Sequence, residues 1–272
     1  MICMSIKLFV TDLDGTLLPA GQKVPAANIK AVRDMVNSGV IFTIATGRMY
    51  SASVEIAKKL GVDVPIITYN GAFIKTVGGE VFHSAFLAPA LIVEIVNFCQ
   101  VHQWHLQSYS NDNLYYPEHN DFAKGYEKVL KINKGKAIGW DGLRQYTENV
   151  PKLLTISSSA EETAERIKVL KAEFGDRINA IRSNAEYTEI TRPEVSKAAA
   201  VKILAEKWNI DNSEVMVIGD SYNDLPMLKA AGHSVAMGNA PDDVKAVCEF
   251  VTDTCDDDGF AKAVYKYVLK NN

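Results

Sequence analysis

Asp12 and Asp14 stand two residues apart directly after the apolar run Ile6–Thr11, and Gly15 and Thr16 follow at once. Thr46, Gly47 and Arg48 follow a second apolar run, Val40–Ala45. A third cluster, Gly219-Asp220-Ser221-Tyr222-Asn223-Asp224, ends the run that begins at Glu214. Lys197 precedes that run at the start of an alanine-rich segment. Brought into one crevice, these residues offer several carboxylates, a hydroxyl, an ammonium and exposed main-chain amides.

Converging carboxylates repel one another. At ~4 Å the repulsion is roughly 1 kcal/mol in water and about 4 kcal/mol at an effective dielectric of 20. A divalent cation removes that penalty. An all-oxygen donor set that leaves room for water and phosphate suits Mg²⁺, and no His or Cys cluster with zinc spacing is present. Thr46, Gly47 and Lys197 complement an anion such as phosphate through a hydroxyl, a main-chain amide and an ammonium. A carboxylate beside the cation can attack phosphorus. A second carboxyl two residues away can protonate the leaving oxygen and then deprotonate water. Spacing alone leaves open which of Asp12 and Asp14 attacks. Each residue also has a plainer reading. Thr46 could cap a helix, Lys202 rivals Lys197, Arg48 suits a surface ion pair, and Asp256–Asp258 suits charge at a helix start.

These clusters need a scaffold that collects strand ends. Continuously apolar strands alternate with helical segments in the first third: strands at Ile6–Thr11, Val40–Ala45 and Val64–Ala72, helices at 25–39 and 51–61. The last third repeats the pattern, with helices at 196–209, 224–232 and 241–248, strands at 214–220, 233–237 and 250–252, and a closing helix over 256–270. The middle reads differently. It has a hairpin around Gly78-Gly79, a helix over 89–102, strands at 104–110 and 114–118, a strand at 152–159, a helix over Glu161–Phe174, and strands at 177–183 and 187–192. The expected fold class is therefore α/β: a Rossmann-like, doubly wound parallel sheet over 1–85 and 190–272, interrupted by an α+β insertion at 86–189. In such sheets ligands sit at the carboxyl ends of the strands, where all three clusters fall.

The composition suits a globular chain of one large or two smaller domains: 272 residues, 47% apolar, net charge −4. The negative balance weighs against a nucleic-acid partner. Cys3, Cys99, Cys248 and Cys255 lack CxxC spacing and read as free thiols. No stretch is long enough to span a membrane, and the opening "MICMSIKLFV" lacks a signal-peptide cleavage pattern. A cytoplasmic protein is expected, with Met4 as an alternative start.

"DLDGT", "ATGR", Lys197 and "GDSYNDLPM", in that order, resemble the four motifs of the haloacid dehalogenase superfamily of phosphatases. "YNGA" at Tyr69–Ala72, and an insertion after the third strand, resemble the Cof-type subgroup with its α/β cap of type IIB. The resemblance implies Asp12 as nucleophile and Asp14 as acid–base. It implies Mg²⁺ held by the Asp12 side chain, the Asp14 main-chain carbonyl and Asp220. It implies phosphate contacts from Thr46, Gly47, Lys197 and Asn223, with Asp224 orienting its neighbours and Thr16 holding the turn after Asp14. The family often has Gly after the third-motif lysine; here Ala198 follows, a change that favours a helix by up to ~1 kcal/mol.

In the insertion, alternation puts His105, Gln107 and Tyr109 on one strand face, beside Trp104, Tyr115 and Tyr116. Such side chains suit a polar ligand and equally an ordinary half-exposed sheet. The expected activity is Mg²⁺-dependent hydrolysis of a small phosphate monoester, a sugar phosphate foremost, through an aspartyl-phosphate, by a chain for which a monomer is plausible. Alternatives are a phosphotransferase or mutase on the same scaffold, and a phospho-acceptor signalling domain. A signalling domain needs a long-lived phospho-aspartate, which a second carboxyl at Asp14 would shorten, and it leaves the insertion unexplained.

Overall fold

A computed structural model describes residues 5–19, 23–61, 64–130 and 135–269. The alternative start at Met4, the thiol of Cys3 and the last residue of the expected closing helix lie outside the described residues. The chain forms two compact units, one from Met1–His83 with Ser196–Asn272, the other from Ser84–Val195.

The elements run in the order β1 (Leu8–Thr11), α1 (Ala26–Asn37), β2 (Ile41–Ile44), α2 (Tyr50–Lys59), β3 (Ile66–Thr68), β4 (Phe73–Lys75) and β5 (Val81–Ser84). The second unit contributes α3 (Pro89–Val101), β6 (His105–Ser110), β7 (Asn113–Tyr116), α4 (Asp121–Leu130), β8 (Lys136–Ala137), α5 (Gly139–Gln145), β9 (Leu153–Ile156), α6 (Ala160–Phe174), β10 (Asn179–Asn184) and β11 (Tyr187–Thr191). The chain then returns with α7 (Lys197–Lys207), β12 (Val215–Gly219), α8 (Leu225–Ala230), β13 (His233–Ala236), α9 (Asp242–Lys245), β14 (Phe250–Val251) and α10 (Gly259–Ala263).

In the first unit, a parallel sheet has the order β14-β13-β12-β1-β2. β3 lies parallel beside β2 through a bridge from Ala45 to Ile67. Every side chain of β1 is buried. Phe9 packs with Phe42 and, edge-on, with Phe260 on the face covered by α1 and α10. Leu8 and Val10 face α7 and α8 through Leu204, Met227 and Leu228. Both faces are covered, so strands without polar alternation are stable here; each such side chain contributes roughly 1.5–3 kcal/mol on burial. The fold class is thus an α/β doubly wound parallel sheet. Its register aligns Thr11 with both Ile44 and Ile218. Asp12, Thr46 and Asp220 consequently leave the sheet at one level.

Two elements differ from the sequence expectation. The third strand stops at Thr68, because Tyr69 and Asn70 take left-handed backbone angles (φ 51° and 56°). The closing helix starts at Gly259, later than its acids. Cys255–Asp257 form a separate 3₁₀ turn, and left-handed Asp258 (φ 57°) divides the two.

The second unit is a six-stranded sheet of order β10-β11-β9-β6-β7-β8, antiparallel except between β7 and β8. One face packs Leu106, Leu153 and Ile190 against apolar residues of α3 and α6. β11 continues through residue 189, where the sequence reading placed the boundary, and the unit extends to Val195. The helices α4 and α5 were absent from that reading. α4 carries Gly125 at its centre, and α5 is seven residues long with glycine at Gly139 and Gly142. No helix among the described residues is long and apolar enough to cross a membrane.

Candidate active site

The end of β1 carries the first cluster. Asp12 anchors its main-chain amide on Ile218 at 3.0 Å, and the chain then turns tightly, with Gly15 N on Leu18 O at 2.9 Å. Gly15 has φ 81°, and a Cβ there would meet Asp220 Oδ2 at 2.5 Å. Only glycine satisfies both the backbone angle and the close approach.

Lys197 opens α7, whose N-cap Ser196 accepts from Ala199 N. The helix start points the ammonium into the interior, where it donates to Asp12 Oδ1 at 2.5 Å and Asp224 Oδ1 at 2.6 Å. The Lys197 side chain is 0% exposed. Asp224 uses its other oxygen to accept from the amides of Asp220 and Ser221, both at 3.0 Å, which fixes the loop after β12. Thr16 Oγ1 donates to Asp220 Oδ1 at 2.7 Å. Thr16 therefore joins two strand-end loops, in addition to following Asp14 in the turn expected from the sequence.

Oxygens of Asp12, Asp220 and Asp224 lie within 4.8 Å of one another. Burial raises the carboxyl pKa of Asp12 well above the ordinary value; the Lys197 ammonium opposes this, and the charges of Asp224 and Asp220 add to it. Burial and the neighbouring Asp224 likewise push Asp220 up to about 7. Burial acts against the charge on Lys197, but Asp12 and Asp224 outweigh it and hold the group protonated. Three carboxyl groups around one ammonium repel one another when ionised, and burial together with that repulsion is why two of them hold their protons more tightly than usual. A hard divalent cation would relieve that repulsion in their ionised form, and an all-oxygen donor set fits one.

Asp14 is placed apart from this group. Its carboxylate is 53% exposed and accepts from Arg48 at both oxygens, Oδ2 from Nε at 2.7 Å and Oδ1 from Nη2 at 2.5 Å. The ion-pair reading of Arg48 matches this geometry. Thr46 is buried, and its Oγ1 accepts from Arg48 N at 3.1 Å. Gly47 sits against Asn70, and Asn223 Nδ2 donates to Asn70 Oδ1 at 3.1 Å. The structure thus brings together Asp12, Lys197, Asp220, Asp224 and Thr16, and places Thr46, Gly47 and Asn223 around Asn70.

Two residues at the site have no place in the sequence reading. Asn70 served there only as part of "YNGA". Asn239 Nδ2 donates to Gly15 O at 2.9 Å and reaches Asp220 Oδ2 at 3.4 Å, while its Oδ1 accepts from Cys255 N. An asparagine in a loop after β13 carries no charge or spacing signal that would single it out. The thiols of Cys99 and Cys255 are pushed up by burial to about 12, which excludes them as thiolate nucleophiles.

In the second unit, His105, Gln107 and Tyr109 share one face of β6, as alternation requires. All three are buried. His105 Nε2 lies 3.2 Å from Gln107 Nε2, Tyr109 donates to Gln107 Oε1 at 3.4 Å, and Tyr109 and Tyr126 of α4 are joined at 2.5 Å. Gln107 and Tyr109 are engaged within the unit, as is His105 through Nε2, whereas the buried His105 Nδ1 has no hydrogen-bond partner among the described residues. Lys152 and Glu189 form a buried pair at 3.1 Å, with the ammonium 5.1 Å from the centre of the Tyr109 ring.

Comparison with known proteins gives a consistent set. The sequence profile of haloacid dehalogenase-like hydrolases matches residues 9–264. A Bacillus subtilis protein named 5-amino-6-(5-phospho-D-ribitylamino)uracil phosphatase YcsE is 32% identical, over 98% of this chain and 97% of its own. The crystal structure of TM0651 from Thermotoga maritima superposes with a TM-score of 0.82 at 28% identity, covering 96% of this chain and 97% of that one. A solved structure described as a subclass IIB sugar phosphatase superposes with a TM-score of 0.83 at 25% identity, covering 95% and 98%.

Proposed function

The chain belongs to the haloacid dehalogenase-like hydrolase family and is a phosphatase of that kind, and from that premise we propose that it hydrolyses small phosphate monoesters through a phosphorylated Asp12. The observation that carries this reading is the buried Asp12–Lys197–Asp224 chain beside Asp220, three carboxyl groups to one ammonium.

The Asp12 carboxylate attacks phosphorus, forming an O–P bond while the bond to the leaving oxygen breaks. Asp14 gives a proton to that oxygen. It then removes a proton from the water that attacks phospho-Asp12, releasing inorganic phosphate and restoring Asp12. Asp14 must exchange Arg48 for the leaving group and water to do so. Lys197 orients the Asp12 carboxylate and complements the phosphate, together with Thr46, the Gly47 amide and Asn223. Asp224 holds Lys197 and the β12 loop in place. The side chains of Asp12 and Asp220 and the main-chain carbonyl of Asp14 would hold Mg²⁺. When bound, the ion neutralises charge on the carboxylates and on the phosphate.

The leaving group we propose is a polyhydroxylated carbon chain. One relative is named for a phospho-ribitylamino compound, and a structural neighbour is described as a sugar phosphatase. Both descriptions put a phosphate on such a chain. The inserted unit, Ser84–Val195, is proposed to act as the cap that selects it, with His105, Gln107 and Tyr109 among its polar side chains.

Phosphate release from a panel of sugar and polyol phosphates, with and without Mg²⁺, tests the reading. We expect Mg²⁺-dependent turnover of at least one member and none by Asp12→Asn. Full activity in Asp12→Asn, or no turnover of any member, would reject it.

A further inference from the structure

The segment Tyr69–Gly71 holds three consecutive residues in the left-handed region, with φ of 51°, 56° and 106°. A glycine adopts such angles freely, an asparagine tolerates them, and a tyrosine rarely does. The strain is held in the interior, since Tyr69 and Asn70 are 1% and 2% exposed. Strain of this kind persists only where surrounding contacts enforce it, and it concentrates at functional sites.

The contacts of this segment reach three separate parts of the site. Tyr69 N donates to Arg48 O at 3.0 Å, and Asn70 N donates to Thr46 O at 2.9 Å, so the loop after β2 is pinned on both sides of Gly47. The Asn70 side chain fills the space above Gly47: a Cβ placed on Gly47 would lie 3.1 Å from Asn70 Oδ1. The same Oδ1 accepts from Asn223 Nδ2 in the loop after β12. Gly71 packs against the start of α7, where a Cβ would meet Ser196 O at 2.3 Å. Ser196 caps the helix that begins with Lys197.

We propose that Asn70 is a positioning residue for phosphate: its left-handed backbone and its side-chain oxygen jointly set the places of Gly47 and Asn223. The assignment rests on Thr46, Gly47, Asn223 and Lys197 being the phosphate contacts. Asn70 acts through them and is not itself one of the reacting groups. A residue kept for packing would show its value as stability. Asn70 shows it as phosphate affinity, because a glycine here relaxes the backbone and removes only the side chain.

Asn70→Gly and Asn70→Ala separate the two contributions. Each is compared with wild type for thermal midpoint, and for inhibition of p-nitrophenyl phosphate hydrolysis by inorganic phosphate in Mg²⁺. Loss of one well-placed hydrogen bond to Asn223 corresponds to about a tenfold weakening of phosphate inhibition. Both variants should show it. Asn70→Gly should melt no lower than wild type, and Asn70→Ala should melt lower than Asn70→Gly because alanine resists φ 56°. Adding Asn223→Ala to Asn70→Gly should weaken inhibition by less than about threefold further, since the two side chains act as one unit.

Unchanged phosphate inhibition in Asn70→Gly, or full additivity with Asn223→Ala, overturns the proposal. So does a drop in melting temperature of Asn70→Gly with phosphate inhibition intact. If Asn223→Ala, Thr46→Ala and Lys197→Ala still weaken inhibition, the phosphate site stands without Asn70. If they too leave it unchanged, the underlying assignment of the phosphate site falls.

Discussion

Each unit of the chain buries a lysine against carboxylate. Lys197 reaches two carboxylates at 2.5 and 2.6 Å, with Asp220 close by. Lys152 meets Glu189 at 3.1 Å over the ring of Tyr109. The second arrangement matches one charge with its opposite and adds an aromatic face, which suits a cation. The first gathers more carboxylates than it has cations to match. Burial makes such an excess costly. A site that retains it is organised for charges that arrive from solution, whereas a matched pair serves the fold. The difference separates chemistry from architecture without reference to any relative.

Removing a charge should therefore have opposite consequences in the two places. The largest effect is expected for Asp12→Asn, which should reduce phosphate release by at least ~10⁴-fold while the metal-free protein melts no lower than wild type. Steady-state assays and thermal melts in chelator check both halves. A large loss of stability in Asp12→Asn would erase the contrast. Next, Glu189→Gln should cost about 3 kcal/mol of unfolding free energy, because it leaves the Lys152 ammonium buried beside a neutral group. Urea denaturation measures it, and kcat for p-nitrophenyl phosphate should hold at temperatures where the fold persists.

Acid should also pull the units in opposite directions. Burial, with a contribution from Arg166, holds His105 down at about 4. The unfolded chain takes up that proton near pH 6.5, so the second unit loses stability as pH falls from about 6.5 to about 4. The loss approaches ~3 kcal/mol at the lower end. Asp220 behaves inversely. Its native pKa of about 7 exceeds the ordinary carboxylate value, so the metal-free first unit loses stability as pH rises from about 4 to about 7. Saturating Mg²⁺ should flatten that slope by binding the ionised form. Hydrogen exchange resolved by unit, with and without Mg²⁺, distinguishes the two trends; equal slopes would contradict them. The smallest effect belongs to the double variant Lys152→Met/Glu189→Leu, which should cost less than Glu189→Gln in the same urea experiment, since it removes the two opposite charges together.

Much of the catalytic unit was legible because its strands are apolar throughout and stop at polar clusters. β1, β2 and β12 end at Asp12, Thr46 and Asp220 for a reason visible in the sequence: a sheet covered on both faces tolerates charge only where it ends. Lys197 was legible from its position after a strand and before an alanine-rich helix. The left-handed turn at Tyr69 was hidden, since a bulky residue gives no local signal for that backbone and its cause lies in contacts from three distant segments. Asn239 was hidden because a neutral loop side chain has no periodicity. In the second unit α4 and α5 escaped notice because central glycines and short lengths blur helical spacing. The polar line His105-Gln107-Tyr109 gave the right strand face, but alternation is silent about what covers that face. Tyr126, on a helix missing from the sequence reading, supplies part of the cover.

The order of the parallel sheet also bears on how the protein is made. β1 lies between β2, its neighbour in sequence, and β12, from the far end of the chain. The Thr16–Asp220 hydrogen bond joins residues 204 positions apart. A ribosome adding about 5–20 residues per second leaves β1 without one of its flanking strands for on the order of ten seconds or more. All that time the Leu8–Thr11 edge, wholly apolar but for one threonine, has an unfilled side. The inserted unit is complete before β12 is synthesised. If it folds first, it replaces more than a hundred residues of slack chain with a body whose ends are fixed, and it shortens the loop that β12 must close.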